Sequence, residues 1–217
     1  MNQQIINKTN SIFPDPNSAD ENGLVAIGGN LETGTLLDAY SNGIFPWSVV
    51  DGKICWFSPD PRLILLPENI VISQSMKKVL KKNQFKITID ASFKTVIAEC
   101  RNIRLNEYDG GTWILLEFQN AYTKLHQNGI AHSVEVWMND EIVGGLYGVQ
   151  LGKVFFGESM FSYKSNASKA ALIFLCENSL EYGIELMDCQ QTTSHLLSMG
   201  AHEISRKQFL KLLNELI

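Results

Sequence analysis

Lys153 to Lys169 reads K-V-F-F-G-E-S-M-F-S-Y-K-S-N-A-S-K, and the fold turns on this stretch. A run of β-formers carries one carboxylate, Glu158, and one sulfur, Met160, where the centre of a sheet is expected. Strand alternation puts Glu158 on one face with Phe156 and Met160. Ser165 or Asn166 is then placed to cap a helix of good formers, A-S-K-A-A-L-I-F-L-C-E-N. A second apolar strand, Ile184 to Gln190 (I-E-L-M-D-C-Q), follows that helix. Strand, crossover helix and strand of this length make a βαβ unit whose two strands are near neighbours. Asp188 and Gln190 are two apart and share a face of the second strand. Two acids and an amide should therefore converge at the strand ends, where open α/β sheets hold ligands.

Outward from this unit, the period is two from His132 to Glu158: H-S-V-E-V-W, a turn at Asn139-Asp140, E-I-V-G-G-L-Y-G-V, a turn at Leu151-Gly152, then K-V-F-F-G-E. This predicts an antiparallel meander. Earlier come a helix from Ile114 to Asn128 with Gly129 as its C′ residue, a helix over Ala91 to Arg101, and a half-buried strand over Phe85 to Asp90. Ser73 to Lys82 reads as a short helix with Met76, Val79 and Leu80 inward and Lys77, Lys78 and Lys81 outward. Beyond the crossover, Ser194 to Met199 is a helical turn, and Ser205-x-x-Gln208 opens the last helix with a capping box. The order is α+β with a mixed sheet, as in the GNAT-type N-acyltransferases. Residues 1 to 62 differ in character, with turn formers, aromatics between prolines and one short helix from Thr33 to Gly43. They are read as a small N-terminal domain, and 63 to 217 as a GNAT-like catalytic domain.

Composition sets limits on partners. The 217 residues are 45% hydrophobic and 19% charged, an ordinary globular balance, and carry a net charge of -5. That charge argues against a generic nucleic-acid coat, which needs clustered Lys and Arg, but leaves room for a local basic patch. The lysine helix is the densest positive cluster, so a phosphate backbone would dock there. The four cysteines lack C-x-x-C spacing, the start M-N-Q-Q-I-I-N-K-T-N lacks a signal peptide's apolar core, and no window approaches 18 apolar residues. A cytoplasmic protein without a membrane span is expected.

A carboxylate in the apolar strand around Asp188 must be paired, hydrogen-bonded or functional. Gly157-Glu158-Ser159-Met160-Phe161 is half a nucleophile elbow without its second glycine, and the four histidines show no ligand spacing, so neither a serine hydrolase nor a metal site is expected. CoA enzymes of this fold place a Gly-rich loop before the crossover helix to cradle pyrophosphate. Here that loop, Ser162 to Ala167, has no glycine. The acyl donor is expected to be something else.

At this point the chain resembles one family, the bacterial leucyl/phenylalanyl-tRNA–protein transferases. The matching stretches are G-L-V-A-I-G-G-N-L, Y-S-N-G-I-F-P-W, W-F-S-P-D-P-R, the G-T-W at Gly111 to Trp113, H-S-V-E-V-W, V-G-G-L-Y-G-V, F-F-G-E-S-M-F-S, N-A-S-K and M-D-C-Q. The resemblance implies a cytoplasmic enzyme that moves Leu or Phe, less readily Met, from aminoacyl-tRNA to the N-terminal α-amine of proteins beginning with Arg or Lys, marking them for N-degron degradation. It implies no CoA, no other cofactor and no metal. By position it makes Asp188 and Gln190 the catalytic pair; the chemistry of an amine attacking an ester then leads to the expectation that Asp188, through Gln190, orients the amine and accepts or relays its proton. Glu158 lies beside them as an electrostatic partner of the basic acceptor. Met160, Leu146 and Leu175 line the donor's side-chain pocket, Trp47 stacks on the terminal adenine, and Lys77, Lys78 and Lys81 meet the acceptor stem. Some positions depart from the pattern: Leu175 and Ser179 stand where the family's crossover helix can present aromatics, Asn30 replaces an expected acid after Gly28-Gly29, and Gln74 stands where a stem-contacting arginine is expected. The rival readings are a GNAT-type N-acyltransferase with a different acyl donor and a non-catalytic tRNA-end-binding module.

Overall fold

Two sheets organise the residues that the computed structural model describes, 11–107 and 114–217; the Gly111 to Trp113 motif lies outside them. The smaller sheet holds β1 (Leu24–Ile27) and, after helix α1 (Thr33–Ser41), β2 (Phe45–Val50) and β3 (Lys53–Phe57), in the order β1-β3-β2. The larger begins with β4 (Arg62–Leu65). Helix α2 (Gln74–Lys81), β5 (Lys86–Ile89), α3 (Phe93–Glu107) and α4 (Leu116–Gln127) follow, then the meander β6 (Ala131–Met138), β7 (Glu141–Leu151) and β8 (Val154–Ser162). Helices α5 (Ala167–Glu177) and α6 (Ser179–Tyr182) cross to β9 (Leu186–Gln190), which α7 (Ser194–Leu197), β10 (His202–Ile204) and α8 (Arg206–Leu216) follow. The order is β10-β4-β9-β8-β7-β6-β5, antiparallel except for the parallel β8/β9 pair of the crossover. The expected mixed α+β sheet is therefore present.

The local reasons agree with the sequence. Asn139 and Asp140 both have positive φ (53° and 61°), as a two-residue turn between right-twisted strands requires. The Ser205 side chain accepts from the Gln208 N–H while the Gln208 side chain accepts from the Ser205 N–H, closing the capping box. Ser205→Ala should cost about 1 kcal/mol and lower the midpoint of thermal unfolding by roughly 2–4 °C. Differences arise where neighbours override local preference. Helix α3 runs six residues past Arg101. Asn166 does stand at the N-cap of α5, but with φ of 72° and no side-chain bond; Ser162 Oγ instead accepts from the Ser168 N–H at 3.3 Å.

One expectation needs correction. Opposite Tyr147 and Gly148, β8 offers Ser159 and Gly157, so Glu158 is an extra residue, a β-bulge. Alternation is lost there. Phe156 faces the core under α1, tilted 5.0 Å from the Tyr40 ring, and Glu158 turns toward the same side. Met160 packs in the other core, with Leu146, Phe155 and the buried face of α5. The bulge re-aims the sulfur, so Met160 and Glu158 approach the strand ends from opposite layers.

Candidate active site

The β8/β9 pairing reaches Phe156 and Asp188 and goes no further. Past that point the strands part, and a cavity of about 400 Å³ opens between them. Its walls are mostly apolar, from Leu146, Phe155, Met160, Leu172 and Met187, while Glu158, Asp188 and Gln190 bring polar atoms to it. Trp47, 37% exposed and edge-on to Phe57 at 5.3 Å, stands at its rim. Leu146 and Met160 are cross-strand partners, which is why both line it. Leu175 does not. It is buried one helical turn farther along α5 from the strand ends, and Leu172 takes the lining position. Lys77, Lys78 and Lys81 are exposed on α2, and among the described residues no acid pairs with them.

Asp188 is fully buried, and its charge is met by Arg62, itself 1% exposed. The guanidinium is bidentate, with Nε donating to Oδ1 at 2.8 Å and Nη2 donating to Oδ2 at 2.6 Å. A third donation goes to the Gly43 carbonyl at 3.1 Å, and the guanidinium carbon lies 4.7 Å from the Phe45 ring centre and 4.4 Å from that of Phe209. Asp188 Oδ1 also accepts the Gln190 N–H at 2.9 Å, which holds Gln190 at a φ of 62°. Gln190 is in turn locked by its side-chain amide, Nε2 donating to Glu158 Oε1 at 2.8 Å. Gln190 Oε1 has no hydrogen-bond partner among the described residues and lies in a residue that lines the cavity.

Glu158 is 7% exposed. Besides the Gln190 amide it accepts from Tyr40 at 2.8 Å and from Tyr122 at 2.9 Å. Burial pushes its pKa up to about 7, against the three donors, which favour the ionised form, with the Asp188 charge adding to the rise. Burial and the facing Glu158 charge hold both tyrosines well above their ordinary value. The convergence of Glu158, Asp188 and Gln190 expected from the sequence is thus present, and Arg62, Tyr40 and Tyr122, which the sequence pattern does not single out, join it. Each left a signal. An arginine that opens the apolar run L-I-L-L needs an anion as much as Asp188 needs a cation. Tyr40 and Tyr122 lie on the inward stripes of their helices, where a hydroxyl needs a partner.

The loop before α5 has a plain geometry. The N–H groups of Tyr163 and Lys164 donate to the Val143 carbonyl, that of Ala167 to the Lys164 carbonyl, and that of Ser168 to Ser162 Oγ. Four of the N–H groups around this helix start are therefore already engaged.

Residues 64–214 match the family model described as leucyl/phenylalanyl-tRNA protein transferase, and residues 29–60 match the model of that family's N-terminal domain. A leucyl/phenylalanyl-tRNA–protein transferase of Syntrophobacter fumaroxidans is 52% identical over 204 residues, covering 94% of this chain and 87% of the relative. One from Legionella pneumophila (strain Corby) is 49% identical over 207 residues, covering 95% and 92%. Among solved structures, FemX shares the fold at a TM-score of 0.50 and 14% identity, over 83% of this chain and 70% of its own. A GCN5-related N-acetyltransferase from Kribbella flavida is more distant, at a TM-score of 0.40 and 11% identity over 80% and 61%. With a family model over more than half its length and relatives at about half identity along nearly all of it, the chain belongs to the leucyl/phenylalanyl-tRNA protein transferase family.

Proposed function

We propose that the protein transfers Leu or Phe, and less readily Met, from aminoacyl-tRNA to the N-terminal α-amine of cytoplasmic proteins beginning with Arg or Lys, marking them for degradation. The observation that carries this reading is the apolar cavity with Gln190 and Glu158 beside it, next to a loop before α5 that has no glycine. A tRNA ester is a good acyl group without CoA, and an α-amine of pKa about 7.7–8.0 is partly neutral at pH 7. The remaining work is orientation and removal of one proton. Gln190 Oε1, the unpartnered acceptor, takes an N–H of the incoming amine, and Asp188 is a positioning residue that holds the Gln190 backbone. The cavity admits a side chain unbranched at Cβ, because branching widens the root. Residues 1–62 act as the small domain that brings Trp47 to the terminal base, and 63–217 as the catalytic domain.

Labelled leucine on Leu-tRNA, offered to a peptide starting with Arg and to one starting with Gly, tests the reading. Label on the Arg peptide alone, lost in Gln190→Ala, supports it; no label from folded protein with charged tRNA turns the assignment toward another acyl donor. The exposed lysines of α2 fit the acceptor stem as a phosphate-binding face. Replacing Lys77, Lys78 and Lys81 together by Ala should weaken tRNA binding and reduce the slope of log K against log salt by about 2.7, three phosphates at ≈ 0.9 each. A salt titration of binding reads this directly.

A further inference from the structure

The Glu158 carboxylate and the two tyrosine hydroxyls close a ring. Tyr40 OH is 2.8 Å from Glu158 Oε1, Tyr122 OH is 2.9 Å from Oε2, and the two hydroxyl oxygens are in hydrogen-bond contact with each other. Both tyrosines are fully buried. Three contacts need three protons, and with Glu158 ionised the hydroxyls supply only two. One contact is then a pair of oxygens without a hydrogen between them. A proton on Glu158 fills the vacancy: Glu158 donates to Tyr122, Tyr122 to Tyr40, and Tyr40 back to Glu158, each bond polarising the next. The ring therefore has room for one more proton, and the carboxylate that receives it borders the cavity. Asp188 has no such place, since both its oxygens are held by the permanently charged Arg62.

Resting on the proposed reaction, we infer that Glu158 is the group that takes the proton from the acceptor amine, with Tyr40 and Tyr122 as its positioning residues. The α-ammonium gives one N–H proton to Glu158, and the freed lone pair attacks the ester carbonyl carbon. The C–N bond forms, the bond from carbonyl carbon to ribose oxygen breaks, and a second nitrogen proton leaves on that oxygen. Glu158 then returns its proton to water. A carboxylate poised near 7 is matched to this task. The charged and titratable groups around it are Tyr40 from α1, Tyr122 from α4 and Asp188 of β9 with its Arg62 counter-charge from β4.

The test is single-turnover transfer of leucine to an Arg-initiated peptide at saturation, followed against pH in wild type, Tyr40→Phe, Tyr122→Phe and Glu158→Gln. The amine titrates alike in all four, so differences report Glu158. Glu158→Gln should lose about 10²–10⁴-fold. Each Tyr→Phe change opens the ring and so alters the proton affinity of Glu158, and the rising limb of its profile should be displaced from that of wild type by about one pH unit. A ¹³C carboxyl NMR titration of Glu158 should show the same displacement without any acyl donor, and the thermal midpoints separate it from loss of fold. Wild-type transfer with an unchanged rate in Glu158→Gln, or Phe variants whose profiles superimpose on wild type, would overturn the inference and leave the transfer reading standing. A wild-type protein that transfers to no Arg peptide, with the NMR displacement present, would instead sink that reading and with it the catalytic use of the ring.

Discussion

Arg62→Ala is expected to lower the stability of the protein by about 3–5 kcal/mol, because it leaves the Asp188 charge buried and unpaired. Among the described residues no other cation pairs with Asp188. Asp188 is wholly out of solvent, and the guanidinium supplies two of the hydrogen bonds to its oxygens. Two aromatic faces also lose the group between them. Arg62→Lys keeps the charge but cannot make the fork, so it should fall between wild type and Ala. The pair Arg62→Met with Asp188→Leu removes both charges and should recover much of the stability. It should not recover transfer, since the Gln190 N–H then has no carboxylate to hold it. Denaturant midpoints and transfer rates measured on the three variants separate these effects. A double variant as active as wild type would show that Asp188 does not position Gln190.

Gly148→Ala is expected to be nearly as damaging, at about 3 kcal/mol, and to reduce transfer in the protein that remains folded. A Cβ at this position would lie 2.3 Å from the Phe156 carbonyl oxygen and 2.6 Å from the Phe155 ring. The ring can rotate away; the backbone oxygen can move only if β7 and β8 separate. Gly148 faces Gly157 at the edge of the bulge that carries Glu158, so separation there moves the carboxylate off its tyrosines. Thermal unfolding together with the Glu158 carboxyl titration would show both effects. A variant with unchanged midpoint and titration would mean that the bulge tolerates a wider gap than this geometry allows.

The meander and the crossover were legible because their signals are local. Alternation, the Asn-Asp turn and the capping box each act within a few residues, and they appear where the residues require. The convergence of Glu158, Asp188 and Gln190 was legible too, since topology alone brings the ends of neighbouring strands together. Legibility failed where a partner is far off in the chain. Arg62 and Asp188 are 126 residues apart, and Tyr40 and Glu158 are 118 apart. Arg62 stands in a proline-rich stretch that reads as a boundary, yet the residues after it form a strand that inserts beside β9 and carries the guanidinium inward. The face of Met160 was misread for a related reason. A strand pattern assumes one residue opposite one residue, and only a glycine in a central strand, here Gly157, hints that the count will slip.

The aromatic sandwich around Arg62 has a bearing on biosynthesis. Phe45 is made early and Phe209 late, and the guanidinium between them is the counter-charge of Asp188. A chain still emerging from the ribosome can pair β4 with β9 once β9 is out, but one face of the guanidinium stays open until α8 has followed. The counter-charge of Asp188 should therefore be fully enclosed only when the last helix has been made, so that the buried pair is completed at the end of synthesis.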